Sequence, residues 1–153
     1  MPSLLTITEF VRDAIQGLPT VQSHGDVLVA VDYEHKVGES FKMHLAKARG
    51  FAISVGRNGS RSQSEKSRNG LVVETSLQVL FVYKPILRKS KEDAGAAEIE
   101  AVIAEACNTL NGLEVPGINP TNCNFRLQFQ NIRPLADPRF IMDVATFSIT
   151  HTL

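Results

Sequence analysis

Four histidines, at 24, 35, 44 and 151, and two cysteines, at 107 and 123, are the side chains of this 153-residue chain best suited to metal binding or nucleophilic chemistry. Their spacing builds neither. No HExxH pair and no doubled CxxC is present, and those are the spacings that bring ligands to one metal ion. Asp32, Glu34 and His35 are close, but on a strand Asp32 and Glu34 share a face while His35 points away, which reads as a solvated strand end. Ser23, His24 and Asp26 are adjacent in sequence, whereas a triad needs convergence in space, and no G-x-S-x-G elbow occurs. Cys107 falls near the apolar stripe of a helix, where core packing is its ordinary role, and neither cysteine has an activating base beside it. Gly56 and Gly59 sit in GRNGS, which lacks the GK[ST] that opens a phosphate-binding helix, and there is no GxGxxG. These observations predict a non-enzymatic chain without metal or cofactor.

Basic residues are the other chemistry on offer. Residues 57–69, RNGSRSQSEKSRN, hold Arg57, Arg61, Lys66 and Arg68 against one acid, Glu65, and no core-forming side chain. Such a segment reads as a long loop, and loops of that length in compact domains tend to carry function. Arg88 and Lys89 add to the basic stretch. Arg49-Gly50-Phe51-Ala52 matches the start of an RNA-stacking signature. The match then fails, because Ile53 stands where an aromatic should, and the motif falls on the second inner strand instead of the third. Non-specific contact with phosphates remains open to the basic segment.

The total charge conceals this layout. Sixteen bases balance sixteen acids, yet residues 1–35 carry one base and five acids, 36–91 twelve bases and three acids, and 92–153 three bases and eight acids. A surface with both signs can bind copies of itself head to tail, or meet an anionic partner at one end. At this length one domain is expected, large enough to bury a core without staples. Hydrophobic content of 43% excludes disorder of the whole chain. No apolar run approaches a membrane span, no secretory signal opens the sequence, and two cysteines are too few for a disulfide framework. The expectation is a chain made in a reducing cytoplasm, with no membrane partner.

The elements that must position these residues follow from periodicity. Thr6 and Glu9 form a capping box ahead of Ile7, Phe10, Val11, Ala14, Ile15 and Leu18 at helical spacing, and Gly17 and Pro19 stop that helix. A strand is predicted at about 27–35, a short helix over 40–49 with Phe41, Leu45 and Ala48 on one side, and a strand over 51–55. The strand 71–83 places Val73, Thr75, Leu77, Val79, Phe81 and Tyr83 on one face. It pairs with 51–55 as a hairpin bearing an extended basic arm. A helix over 92–111, opened by Ser90 and Asp93, buries Ile99, Val102, Ile103, Ala106 and Leu110 and ends at Gly112. After a connector at 113–122, Phe125, Leu127 and Phe129 alternate in a strand, RPLADP (133–138) bends, and a last strand covers 140–152 with Ala145, Phe147 and Ile149 inward. The order α-β-α-β-β-α-β-β predicts one α+β domain over residues 1–153. Its mostly antiparallel sheet has about five strands, with two main helices packed on one face. The inner β-α-β-β-α-β order is also that of ferredoxin-like nucleic-acid-binding domains, which stand as the alternative from a different functional class.

Taken together, the helix TITEFVRDAIQGL, the strand and short helix leading to ARGFAISVG, the long strand ending LQVLFVYKP, and the late helix AAEIEAVIAEACNTLNG before two closing strands resemble the bacteriophage tail terminator (tail completion) family, related to minor tail protein U. The likeness is one of layout and covers most of the chain. It implies a structural virion protein, assembled in the host cytoplasm and placed at the head-proximal end of the tail. There a six-membered ring of copies ends tube polymerisation. The implied partners are further copies of the chain, the tail tube protein, a head-side connector or neck protein, and genomic DNA passing through the channel. Another head–tail joining or neck protein is the alternative within the same class. On this reading Arg57, Arg61, Lys66, Arg68, Arg88 and Lys89 are the candidates for contact with a neighbouring subunit, the tube or DNA.

Overall fold

The computed structural model describes residues 4–34, 36–47, 50–67, 70–84, 94–115 and 126–152, with backbone only for 63–67, 70, 94–97 and 152. The first helix, α1 (Leu4–Gln16), buries Ile7, Val11 and Ile15, one per turn along a single stripe. Leu4 and Leu5 are already helical, so the expected capping box at Thr6 lies inside the helix. The Glu9 carboxylate instead accepts a 2.8 Å hydrogen bond from the Tyr33 hydroxyl. Pro19 does more than stop α1. It opens a short helix, α2 (Pro19–His24), that periodicity missed, because proline fits the first helical turn where its missing N–H is not needed. Gly25, at φ 79°, closes α2 in the left-handed conformation.

Strand β1 (Val27–Val31) is shorter than the predicted 27–35 and runs parallel to β2 (Phe51–Ser67), in register from Val27 opposite Phe51 to Val31 opposite Val55. Between them α3 (Val37–Leu45) begins and ends earlier than the predicted 40–49. Its end approaches β2 so closely that a Cβ on Gly50 would lie 2.5 Å from the His44 carbonyl oxygen. Residues 57–67 are not a loop. β2 continues through them, paired antiparallel with β3 (Gly70–Tyr83) out to Ser67 opposite Gly70. The pairing needs only backbone N–H and C=O groups, so a segment without apolar side chains sustains it while β3 supplies the buried face.

Helix α4 (Ala94–Leu110) buries Ile99, Val102, Ala106 and Leu110 as expected, while Ile103, expected in the same stripe, is only partly buried; the proposed cap at Ser90 and Asp93 lies outside the described residues. Strand β4 (Gln128–Leu135) starts later than predicted and runs on through Arg133 and Pro134. Proline is tolerated there because β4 is an edge strand, where its missing N–H breaks no ladder bond. The bend comes after it, where Asp137 Oδ1 accepts the Arg139 and Phe140 N–H groups at 2.8 and 3.1 Å. These bonds, the Arg139 one first, hold the Asp137 carboxyl below its ordinary pKa. Strand β5 (Ile141–Thr152) closes the sheet and buries Ala145, Phe147 and Ile149.

The sheet order is β1-β2-β3-β5-β4, with only the β1–β2 pair parallel. The fold is therefore α+β with a mostly antiparallel five-stranded sheet. The main core lies between one sheet face and α1, α2 and α4. A smaller cluster, Leu45, Ala52 and Val82 with Phe41 and Phe140 against it, puts α3 on the opposite face. The ferredoxin-like alternative fails on topology. That arrangement splits its parallel pair with another strand, whereas β1 and β2 are direct neighbours here.

Candidate assembly surface

The three histidines among the described residues, His24, His44 and His151, make packing and hydrogen-bond contacts within the fold. His24 is buried, with Nδ1 3.1 Å from Glu98 Oε2 and its ring edge-on to Phe51. Together with the Thr20 hydroxyl and amide N–H, which both donate to Glu105, this fastens α2 to α4. His44 Nε2 donates to the Asp26 carbonyl oxygen at 2.7 Å, and His151 Nε2 lies 2.7 Å from the Thr75 hydroxyl. Ser23, His24 and Asp26 form no triad, since the His24 ring is turned into the core against Phe51 and Glu98. Phe51, the residue of the RNA-like signature, is wholly buried beside Phe81 and Tyr83 and offers no stacking surface. Among the described residues no three His, Cys, Asp or Glu side chains converge as a metal site. His35, Arg49 and Cys123 lie outside the described residues.

The basic arm is the distal part of the β2–β3 hairpin. β1 covers β2 only as far as Val55, and the next seven residues turn from partly buried Gly56 to the exposed run Arg57–Ser62. The register slips at Asn58, where Arg57 stands opposite Leu77 but Gly59 opposite Ser76. Such a bulge inserts one residue and flips every later side chain to the other face. Arg57 therefore shares the helix-side face of Leu77, close to Leu4 and Asp32. Arg61 shares the opposite face with Glu74 and pairs with it, Nη2 to Oε1 at 2.8 Å. Gly59 makes the bulge possible, since its φ of 119° is strained for any residue with a Cβ. On the core side, the Ser60 and Thr75 hydroxyls sit 2.7 Å apart, carrying the His151–Thr75 contact across to the edge strand.

Arg57 and Arg61 thus lie on one arm but do not form one patch. Lys66 is known by its backbone, opposite Leu71 beyond a second register shift; Arg68, Arg88 and Lys89 lie outside the described residues. Part of the N-terminal acidic block is neutralised locally, because the Arg12 guanidinium contacts both Asp13 and Glu34 at 2.8 Å. Helix α4 carries Glu98, Glu100 and Glu105 and no base of its own, with Glu98 and Glu105 turned towards His24 and Thr20 of α2.

The other sheet edge holds a feature that sequence reasoning missed. Tyr83, Ile103, Ala104, Cys107, Phe129, Ile132 and Pro134 line a groove of about 430 Å³ between α4 and β4, with Glu100, Asp143 and Arg133 on its rim. A register shift at Gln130 keeps Phe129 opposite Phe147 and brings Ile132 opposite Ala145, so both face α4. Phe129 and Ile132 remain 37% and 42% exposed, although both are large and apolar. The Tyr83 hydroxyl donates to Asp143 Oδ2 at 3.1 Å and fixes the groove floor. Burial pushes the Cys107 thiol up to about 11, so at neutral pH it is an unreactive wall of the groove. The signal for this site was the apolar Ile132 between polar neighbours in QFQNIRPL, which only the bulge places on the same face as Phe129.

No helix among the described residues is long and apolar enough to cross a membrane. No protein-family model and no curated protein sequence matches the chain. Among solved structures it is similar to a chain from the virion of a native gene transfer agent particle, with a TM-score of 0.54 and 12% identity, covering 94% of this chain and 92% of that one. At that identity the likeness is one of fold, extending over nearly the whole length of both chains.

Proposed function

We propose that this chain is a structural, non-enzymatic subunit of a phage-type virion and acts as a tail terminator, closing into a ring on the head-proximal end of the tail tube. The observation that carries the reading is the fold shared, nearly end to end, with a chain of a gene transfer agent virion. The layout of helices and strands that resembles tail terminators supports the finer role, and so does a sheet with two open edges of different character. A ring needs one side of each subunit to meet a different side of the next. In this reading the tube protein docks on one rim of the ring, and the head-side connector docks on the other. The basic residues Arg57, Arg61, Lys66, Arg68, Arg88 and Lys89 face a neighbouring subunit, the tube or DNA in the channel.

Deletion of the coding sequence tests the assignment. Tails of uncontrolled length that never join heads are the expected outcome. Tails of normal length without heads would instead make the chain a neck protein, and normal infectious particles would remove it from the joint.

A further inference from the structure

We propose that the groove between α4 and β4 receives the distal end of the β2–β3 arm of a second copy of this chain. The contact rests on the ring reading and names the two surfaces that meet. Four observations place them together. The groove is apolar on its floor, and Phe129 and Ile132 stay partly in water although adjoining residues of the same sheet face are buried. Exposed large apolar residues grouped in one concavity mark a binding surface rather than ordinary surface scatter.

The arm offers the matching element. Leu71, one residue from the end of β3, is 40% exposed and is the large apolar side chain of that end. Charge agrees as well. Residues 57–69 carry four bases and one acid, while the groove is lined by two acids, Glu100 and Asp143, against one base, Arg133; Glu98 and Glu105 of α4 face α2 instead.

Placement on the sheet decides that the contact is between copies. From Val79, the last residue of β3 level with β1, to Gly70 the arm runs nine residues, on the order of 30 Å. β4 pairs with β5 only from Ser148 to Met142, the stretch of β5 that faces Ser76 to Val82 of β3. The arm tip and the groove therefore sit at opposite ends and on opposite edges of the sheet. A subunit cannot fill its own groove with its arm, but it can fill its neighbour's, and the operation repeats. Extension of the sheet from edge to edge fits less well. Both edges carry register shifts, β4 adds Pro134, and such features block strand addition. The arm accordingly docks through side chains.

Site-directed cross-linking tests this on the full chain with Cys107→Ala and Cys123→Ser. One protein carries Leu71→Cys and the other Ile132→Cys, both at exposed positions. Under mild oxidation the mixture is expected to give a disulfide-linked dimer containing one of each. A chain carrying both changes is expected to give a ladder of linked copies. Cross-linking of either single variant with itself would indicate a two-fold contact and overturn the proposal. Absence of any cross-link in a sample that electron microscopy shows as rings would overturn this contact and leave the ring reading standing. The same mixture incubated with tail tubes covers rings that form only there: tube-seated rings without the cross-link overturn the contact, and tube-seated rings with it bear it out.

Discussion

Along β4 the sheet edge presents Phe129 and Ile132 above an apolar groove, whereas the distal half of β2 presents Arg57, Asn58, Ser60 and Arg61. Both edges are irregular, with a register shift at Gln130 in one and at Asn58 in the other. The shifts have opposite consequences. In β4 the bulge gathers two apolar side chains onto the helix side. In β2 it separates two arginines onto opposite faces. One edge can gain free energy by removing apolar surface from water, and the other contributes charge and reach. Two such unlike edges on one subunit are what a heterologous contact requires.

The largest effect expected concerns whether the β4 edge is core or surface. Phe147 is buried and meets Phe129 edge-on at 5.6 Å. Phe147→Ala should cost about 3–5 kcal/mol of unfolding free energy. Phe129→Ala should cost only about 1 kcal/mol, close to the worth of an aromatic pair, and should weaken association instead. Urea titration of the two variants separates them, and equal losses would make the groove part of the core.

The bulge of the other edge comes next. Gly59→Ala meets no atom within 4 Å, so any loss is backbone strain from φ 119°, about 1–3 kcal/mol. Gly56→Ala brings a Cβ within 2.6 Å of Asp32 Oδ2, but a surface carboxylate can swing aside, so a loss below about 1 kcal/mol is expected. Thermal melts that ranked these two in reverse would show that the bulge is not pinned by Gly59.

How much of this contrast was legible in the sequence depended on side-chain pattern. α1, β3, α4 and β5 declared themselves because buried residues recur at the helix or strand period, as Val73 through Tyr83 do. The distal half of β2 read as a loop because its order comes from backbone bonds to β3, which leave no mark on composition. α2 escaped because six residues opened by a proline are too short for a period. The arm was foreseen as basic, but the split between Arg57 and Arg61 was not, although Asn58-Gly59 is its trace. The groove was illegible because Ile103 and Cys107 meet Phe129 and Ile132 only through tertiary packing.

Smaller effects refine the arm. The Arg61–Glu74 pair is a direct cross-strand contact, but Arg61 is 76% exposed. A double-mutant cycle should give a coupling of about 0.2–1 kcal/mol that fades in molar salt. A coupling that survives salt would mean that this face of the arm is drier than its exposure shows. Tyr33, which follows the outer strand β1, should have no influence near neutrality. Burial of the phenol first, and its bond to Glu9 second, push it from 10.0 up to about 12. A raised pKa contributes stability that is complete below pH 10 and lost as pH rises towards 12. Stability of Tyr33→Phe and the parent should therefore diverge in slope only in that window, as alkaline denaturation would show.

Electron microscopy of the purified chain mixed with tail tubes, with mass measurement on the same sample, shows whether the chain closes a ring on the tube. Closed rings of one chain type seated on tube ends, with tube growth arrested, are the expected result. A chain that stays monomeric beside tubes that continue to lengthen would contradict it.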